Sequence, residues 1–256
     1  REPRINGPTV VGLRPGRPFL CIVPATGERP MTFSATGLPA GLALDPASGR
    51  ITGELAEKGE HTVRLRAKNA RGATERALRL VCGERIALTP PLGWNSWNCF
   101  AVAVDDAKVR AAADAMVASG LVQHGWSYVN IDDCWEGARD AEGNIQTNEN
   151  FPDMKALADY VHAKGLKFGI YSSPGPKTCA GFEASWQHER QDARRWAEWG
   201  VDYVKYDWCS YDGIAPDRSL PELKKPYQVM RAALDEVPRD IVFSLCQYGM
   251  GEVWKW

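Results

Sequence analysis

Lys205 and Asp207 stand two residues apart in a segment, Tyr203–Cys209, that is rich in strand-forming residues. On a strand this spacing sends both side chains to the same face. An opposed charge pair near the end of a buried strand is either a structural ion pair or a carboxylate that a nearby cation keeps ionised. We favour the second interpretation, in which Asp207 is available as a nucleophile.

The elements around this pair alternate between strand and helix from Ile86 onwards. Strict alternation without a glycine-rich phosphate-binding loop favours an α/β fold of the (β/α)8 TIM-barrel type over a nucleotide-binding sheet. Such a barrel needs eight units and about 250 residues, so residues 86–256 can hold only about five βα units of a longer protein. The predicted strands are 91–94, 127–132, 167–172, 202–206 and 241–245, and the predicted helices are 105–119, 153–164, 185–199 and 221–237.

Residues 1–85 have a different pattern, in which short apolar runs alternate with turn residues. Segments 19–23 and 62–67 are strand-like, and the second alternates apolar with basic side chains. We therefore predict a small all-β sandwich over 1–85, followed by the first part of the barrel domain over 86–256. Cys21 and Cys82 fall on the outer predicted strands of the sandwich, where they form either a disulfide or two separate buried thiols.

The bulk composition excludes several classes of protein. A formal net charge of -1 gives no support for a nucleic-acid or membrane-surface partner. No apolar stretch approaches the ~20 residues of a membrane span, and the polar segment Arg1–Thr9 is not a signal peptide. The seven cysteines lack the close spacing of zinc sites, so no metal is expected.

Polar and aromatic residues gather where the predicted strands end, which is where a barrel of this type builds its active site. Two adjacent carboxylates, Asp132 and Asp133, leave a strand end in opposite directions, so that one can reach a ligand while the other braces the loop. Carboxylates, tryptophans, a tyrosine and a lysine on one rim are a composition typical of sugar-binding sites. These strand ends are Trp94–Trp97, Asp132–Trp135, Tyr171, Lys205–Asp207 and Cys246–Tyr248.

Four motifs in this order resemble family 27 of the glycoside hydrolases, the α-galactosidase family: PPLGWNSWNCF, YVNIDDCW, KGLKFGIYSSPGPKTCAGF and GVDYVKYDWC. The resemblance covers residues 90–256. It implies a (β/α)8 barrel and retaining hydrolysis of terminal α-linked galactose, with carbohydrate as the partner and no cofactor. It also implies that Asp207 is the nucleophile, that Lys205 binds substrate, and that Asp132 and Asp133 bind sugar hydroxyls.

The same resemblance implies roles for further residues. Trp97 and Tyr171 match aromatic residues that line the sugar pocket, and Gln247 stands where many relatives have a glutamate near the second sugar hydroxyl. Cys179 and Cys209 match a disulfide beside the nucleophile, and Cys99 with Cys134 matches a second one.

One part of the family's catalytic apparatus is not found in this chain. Retaining glycosidases need an acid/base carboxyl about 5–5.5 Å from the nucleophile, which the family places in an Arg-x-x-x-Asp context after the sixth strand. Nothing after Gln247 fits that context, so we leave the acid/base unassigned and expect little activity from these residues alone.

Several alternatives to an α-galactosidase stay open. They are an isomaltose-releasing dextranase, an N-acetylgalactosaminidase or an arabinopyranosidase of the same family, and a carbohydrate-binding protein without turnover. The Asp132-Asp133 pair argues against the arabinopyranosidase, and the lack of small residues near position 247 argues against the N-acetylgalactosaminidase. Within residues 7–83, the string GLPAGLALDPASGRITG and the strand HTVRLRAKNARG resemble immunoglobulin-like domains of bacterial secreted proteins. This second resemblance implies an accessory module and a secreted or periplasmic bacterial protein.

Overall fold

The N-terminal region is all-β, as predicted, in the computed structural model, which describes residues 1–256. Its strands form a four-stranded sheet in the order β2-β9-β8-β5, a three-stranded sheet in the order β3-β7-β6, and the pair β1-β4. Strands β8 and β9 form a long antiparallel hairpin, and β2 pairs with β9 in parallel. The strands are β1 Arg4–Ile5, β2 Val10–Leu13, β3 Phe19–Ile22, β4 Ala25–Thr26, β5 Thr32–Thr36, β6 Leu42–Leu44, β7 Arg50–Gly53, β8 Gly59–Asn69 and β9 Gly72–Cys82.

Period-two alternation builds the core of this sandwich. Val63, Leu65 and Ala67 of β8 are buried, whereas the arginines between them are exposed. The buried face joins an apolar cluster that includes Phe19 and Ile51 of the three-stranded sheet, as in an immunoglobulin-like sandwich.

The two cysteines of the sandwich do not form a bridge. Cys82 is buried and Cys21 is half-buried, and no disulfide joins them. The alternative of two separate thiols therefore holds.

Five parallel strands form the α/β part of the chain, in the sheet order β10-β11-β14-β15-β16. Tyr171 of β14 pairs with Lys205 of β15, which in turn pairs with Ser244 of β16. Because successive strands are neighbours and helices intervene, the sheet is the predicted partial barrel. The strands are β10 Gly93–Asn95, β11 Tyr128–Asn130, β14 Lys167–Ser172, β15 Tyr203–Tyr206 and β16 Val242–Leu245.

The helices are α1 Trp97–Phe100, α2 Asp106–Ala118, α3 Met154–Ala163, α4 Glu189–Trp199 and α5 Leu220–Glu236, with 3-10 turns at Ala101–Ala103, Leu121–His124 and Met250–Lys255. The Asp105 carboxylate accepts the Lys108 N–H at 2.8 Å and caps α2, and Asp153 caps α3 through the Ala156 N–H at 2.9 Å. Each helix is too short or too polar to span a lipid bilayer.

Several details of this region differ from the sequence-based prediction, which included neither helix α1 nor the 3-10 turns. Helix α4 begins four residues later than predicted, because Ser185 is buried and its hydroxyl lies 2.8 Å from that of Ser172. An antiparallel hairpin of β12 Glu136–Arg139 and β13 Ile145–Thr147, between β11 and α3, was not predicted.

The chain folds into two compact units that are not continuous in sequence. Unit 1 consists of Arg1–Trp94, Ala111–Tyr128 and Val161–Lys167, and unit 2 of Asn95–Arg110, Val129–Tyr160 and Phe168–Trp256. Within unit 1, the Asn6 amide donates to the Gln123 carbonyl at 3.0 Å, and the Arg50 guanidinium donates to the Ala163 carbonyl at 2.9 Å. The division follows packing and not chain order, so the domain boundary between residues 85 and 86 stays a prediction.

Candidate active site

The ammonium of Lys205 forms its ion pair with Asp132, not with Asp207. Lys205 Nζ lies 2.8 Å from Asp132 Oδ2 and 5.0 Å from the ring centre of Tyr171. The side chain reaches across β14, the strand between β15 and β11, which brings it to the carboxylate beyond the end of β11. The two-residue spacing of Lys205 and Asp207 therefore predicted that they share a face of the strand, but it did not predict that Lys205 pairs with Asp132.

This pairing keeps Lys205 charged. Burial lowers the pKa of Lys205, but the hydrogen bond and the negative charge of Asp132 outweigh burial and raise that pKa overall. A fixed positive charge is thus present at the strand ends, where sugar hydroxyls would bind.

Asp207 lies directly after β15 and is 5% exposed. Its Oδ1 accepts hydrogen bonds from the Trp208 N–H at 2.9 Å and the Tyr248 hydroxyl at 2.7 Å, and its Oδ2 accepts one from the Tyr171 hydroxyl at 3.1 Å. Burial, and then the charge of Asp207, raise the pKa of Tyr171, so that hydroxyl stays protonated as a donor. Three donors therefore hold both oxygens of this buried carboxyl group in place.

The two carboxylates of the acidic pair contact different partners. Asp132 accepts from Lys205 and from the Asn95 amide, the latter at 2.8 Å. Asp133 accepts the Ala180 N–H at 2.8 Å and so holds the loop after β14. Burial raises the pKa of Asp133, although the Ala180 N–H acts in the opposite direction.

The loop that Asp133 holds is joined covalently to the residue two positions beyond Asp207. The predicted disulfide between Cys179 and Cys209 is present, and Cys209 Sγ lies 3.6 Å from the Tyr171 hydroxyl. A carboxylate oxygen of Asp207 lies within 4.8 Å of both sulfurs, but disulfide sulfurs offer no thiolate to a metal.

The expected bridge between Cys99 and Cys134 is not formed. Cys134 is a buried thiol at a backbone φ of 84°, and its N–H donates to the carboxylates of Asp133 and Glu136 at 2.8 and 3.0 Å. Burial and the neighbouring carboxylates raise the pKa of Cys134 to about 12. These contacts hold Cys134 in a buried turn, whereas Cys99 is exposed, so the two cysteines do not form the bridge.

The two remaining predicted residues differ in exposure. Trp97 is 38% exposed, and its N–H donates to Asn95 Oδ1 at 2.9 Å, so it is not a core residue. Gln247 is 2% exposed, its Nε2 donates to the Met250 carbonyl at 2.9 Å, and its Oε1 has no hydrogen-bond partner. Contacts of either residue with a sugar stay predictions.

Sequence reasoning missed several residues that support the site. Tyr248 was noted only as a strand-end residue, although its hydroxyl contacts the predicted nucleophile. Glu136 is buried beside the acidic pair, and burial, followed by the charge of Asp133, raises its pKa well above the ordinary value. The unusual Asp-Asp-Cys-Trp-Glu run was the only available signal for Glu136.

Arg139 of the unpredicted hairpin is another missed residue. Its guanidinium donates to both carboxylate oxygens of Asp192, at 2.6 and 2.8 Å, and to the carbonyls of Ala184 and Gly143 at 2.7 and 3.0 Å. Arg139 thereby ties the hairpin to helix α4 and to the end of the loop that carries Cys179.

A partial (β/α)8 barrel with carboxylates, a lysine and tyrosines at its strand ends defines the class: this is part of a glycoside hydrolase. The chain belongs to the α-galactosidase A family. Residues 89–255 match the family described as "Alpha galactosidase A", and residues 2–81 match a family of Ig domains.

Individual relatives agree with this assignment. "Alpha-galactosidase A" of Cellvibrio japonicus is 53% identical over 175 residues, which are 68% of this chain and 42% of that protein. "Alpha-galactosidase" of Coffea arabica is 46% identical over 189 residues, 72% of this chain and 48% of that protein. The chain thus spans about half the length of the curated relatives that it matches.

Solved structures extend the likeness to the fold. A Bacteroides fragilis structure is 43% identical with a TM-score of 0.95, and the match covers 100% of this chain and 54% of that one. An α-galactosidase from Saccharomyces cerevisiae, solved with raffinose, is 36% identical with a TM-score of 0.63, over 66% of this chain and 37% of that one.

Proposed function

We propose that the full-length protein is a retaining α-galactosidase that removes terminal α-linked galactose, with Asp207 as its nucleophile. The observation that carries this proposal is the buried Asp207 carboxylate at the end of β15, held by three donors and facing the rim that holds Lys205 and Asp132. The α-galactosidase solved with raffinose supports an α-galactoside as the substrate.

In the first step, an oxygen of Asp207 forms a bond to the anomeric carbon as the bond from that carbon to the leaving oxygen breaks. The leaving oxygen takes the electron pair, and an acid/base carboxyl gives it a proton. In the second step, the acid/base carboxylate takes a proton from water as the water oxygen bonds to the anomeric carbon, the bond from that carbon to Asp207 breaks, and its electron pair returns to the Asp207 carboxylate. Lys205 and Asp132 hold the sugar hydroxyls throughout, which fixes the approach of the anomeric carbon.

The acid/base residue is expected outside these 256 residues. Asp132 is paired with Lys205, and Asp133 is held by the loop after β14, so both are assigned to binding. The relatives are about twice as long as the matched region, which leaves room for the missing carboxyl.

The protein is further proposed to work outside the bacterial cytoplasm. The Cys179–Cys209 disulfide supports this location, because disulfides persist in oxidising compartments.

Hydrolysis of 4-nitrophenyl α-galactoside by the full-length protein tests the proposal. Asp207→Ala should lower kcat by on the order of 10⁴-fold or more, and added azide should restore release of nitrophenol and yield a β-galactosyl azide. The matched control is Asp159→Ala, which removes an exposed carboxylate on α3 that pairs with Lys155, and it should retain wild-type rates. Undiminished hydrolysis by Asp207→Ala, or no hydrolysis by the wild type, would refute the assignment.

A further inference from the structure

Tyr248 follows β16 in a backbone conformation that tyrosine seldom adopts. Its φ is 60°, Gly249 after it has a φ of 79°, and the Met250 N–H donates to the Gln247 carbonyl at 3.1 Å. Two successive positive φ angles in a hydrogen-bonded four-residue turn are the pattern of a type I′ turn. Such a turn favours glycine or asparagine at the position of Tyr248, so the tyrosine is kept there against its backbone preference.

The rest of the turn is braced, but the Tyr248 ring is not packed. The buried Gln247 amide donates to the Met250 carbonyl at 2.9 Å and closes the turn from within. The Tyr248 side chain itself is 70% exposed. Its specific contact is the 2.7 Å hydrogen bond from its hydroxyl to Asp207 Oδ1.

The strong donors are distributed unequally over the two oxygens of Asp207. Each carboxylate oxygen can accept about two hydrogen bonds. Oδ1 accepts hydrogen bonds from the Trp208 N–H and the Tyr248 hydroxyl. Among N–H and O–H groups, Oδ2 accepts a hydrogen bond only from the Tyr171 hydroxyl. The Cys246 thiol also lies near the carboxylate, but a thiol is a weak donor. Oδ2 therefore keeps a lone pair that no N–H or O–H group occupies, and Oδ1 keeps none.

We propose that Tyr248 is a positioning residue that anchors Asp207 Oδ1 and thereby makes Oδ2 the oxygen that attacks the sugar. This inference rests on the proposed galactosidase function. The hydrogen bond to Asp207, followed by burial, raises the pKa of Tyr248, so its hydroxyl remains a donor across the working pH range.

The anchor affects the two chemical steps differently. During the first step Oδ2 bonds to the anomeric carbon, Oδ1 becomes the ester carbonyl oxygen, and negative charge leaves the carboxylate. During the second step the C1–Oδ2 bond breaks and the charge returns, so the Tyr248 hydroxyl stabilises that transition state as charge develops on Oδ1. Loss of the hydroxyl should therefore slow the second step more than the first.

The test compares Tyr248→Phe with wild type in the full-length protein, using 4-nitrophenyl α-galactoside and rapid-mixing kinetics to separate the two rate constants. Loss of one hydrogen bond to a charged group should lower the second rate constant about tenfold, with less than a threefold change in the first. A larger pre-steady-state burst of nitrophenol and a lower KM should accompany this change. The control is Tyr160→Phe, which alters a tyrosine that packs on Arg110, and it should change neither constant.

The outcomes separate this inference from the proposed function. Equal losses in both rate constants, or no loss in either, would overturn the role of Tyr248 while galactosidase activity stands. A wild-type protein that does not cleave the substrate would overturn both. Thermal unfolding of Tyr248→Phe should stay cooperative, with a midpoint only a few degrees below wild type, because the variant loses one hydrogen bond and keeps the whole ring.

Discussion

Replacing Arg139 by methionine should destabilise the folded protein and loosen the loop that carries Cys179. The Arg139 side chain is 9% exposed and that of its partner, Asp192, is 2% exposed. Water therefore cannot replace the two charge-assisted hydrogen bonds that the variant would lose. Methionine preserves most of the apolar stem, so the change tests the charge and not the volume.

The expected magnitude follows from the buried charge that remains. Removal of one partner of a buried ion pair costs about 3–5 kcal/mol, because the other charge stays uncompensated. Asp192 retains a hydrogen bond with Ser185, so the expected loss is about 3 kcal/mol, at the lower end of this range. In a protein of the relatives' length a loss of this size lowers the thermal midpoint by roughly 3–6 °C, because the shift per kcal/mol falls with chain length.

The loss should also depend on pH. Burial raises the pKa of Asp192, and Arg139 opposes that rise, so the variant raises the folded-state pKa further. A folded state that binds more protons than the unfolded state loses stability as pH rises above the ordinary aspartate value of 3.8. The midpoint of Arg139→Met should therefore fall further below wild type at pH 8 than at pH 5.

The assay is thermal unfolding of the full-length protein at both pH values for Arg139→Met, Asp192→Asn and the double variant. The double variant should lose less than the sum of the two single losses, because the pair is coupled. Arg110→Met is the control, since its ion pair with Asp106 is more exposed and should contribute about 1 kcal/mol or less. A loss below about 1 kcal/mol, the same loss at both pH values, or additive losses would contradict the reasoning.

Two further predictions concern the acidic pair and its neighbour. Lys205→Met removes the cation from Asp132 and should lower kcat/KM for an α-galactoside by about 10²-fold; a value within threefold of wild type would show that the ion pair is dispensable. In the Glu136→Gln variant, the amide oxygen should accept the Cys134 N–H as the carboxylate does, but the side chain no longer ionises. Since burial and Asp133 raise the pKa of Glu136, the folded wild type loses stability as pH rises above 4.5. The thermal midpoint of Glu136→Gln should thus match wild type at pH 4 and exceed it at pH 8, and a pH-independent difference would contradict this.

Local sequence signals predicted most of the α/β elements. Strand β14, Lys167–Ser172, has the predicted bounds, because an apolar run follows a helix-ending glycine directly. Asp105 and Asp153 marked two helix starts through their capping carboxylates. The β12–β13 hairpin could not be predicted in this way, because its strands are short and its anchor, Arg139, finds its partner 53 residues further along the chain.

The motifs pointed to residues that lie together at the strand ends, but not to the contacts among them, and the roles of these residues toward a substrate stay predictions. Motifs located Asp207, Asp132 and Lys205, whereas strand spacing could not show that the Lys205 side chain crosses β14 to reach Asp132. The contact of Tyr248 could not be predicted for a different reason. Its contact with Asp207 depends on a left-handed turn that the residue's own preference argues against.

The make-up of unit 1 has a consequence for how such proteins can evolve. The amide of Asn6 and the guanidinium of Arg50 donate hydrogen bonds to the carbonyls of Gln123 and Ala163, which belong to segments far along the chain. A gene rearrangement that deleted residues 1–85 would remove both donors, and water would have to take their place at the two carbonyls. Segments 111–128 and 161–167 are therefore where relatives with and without the sandwich should differ in sequence.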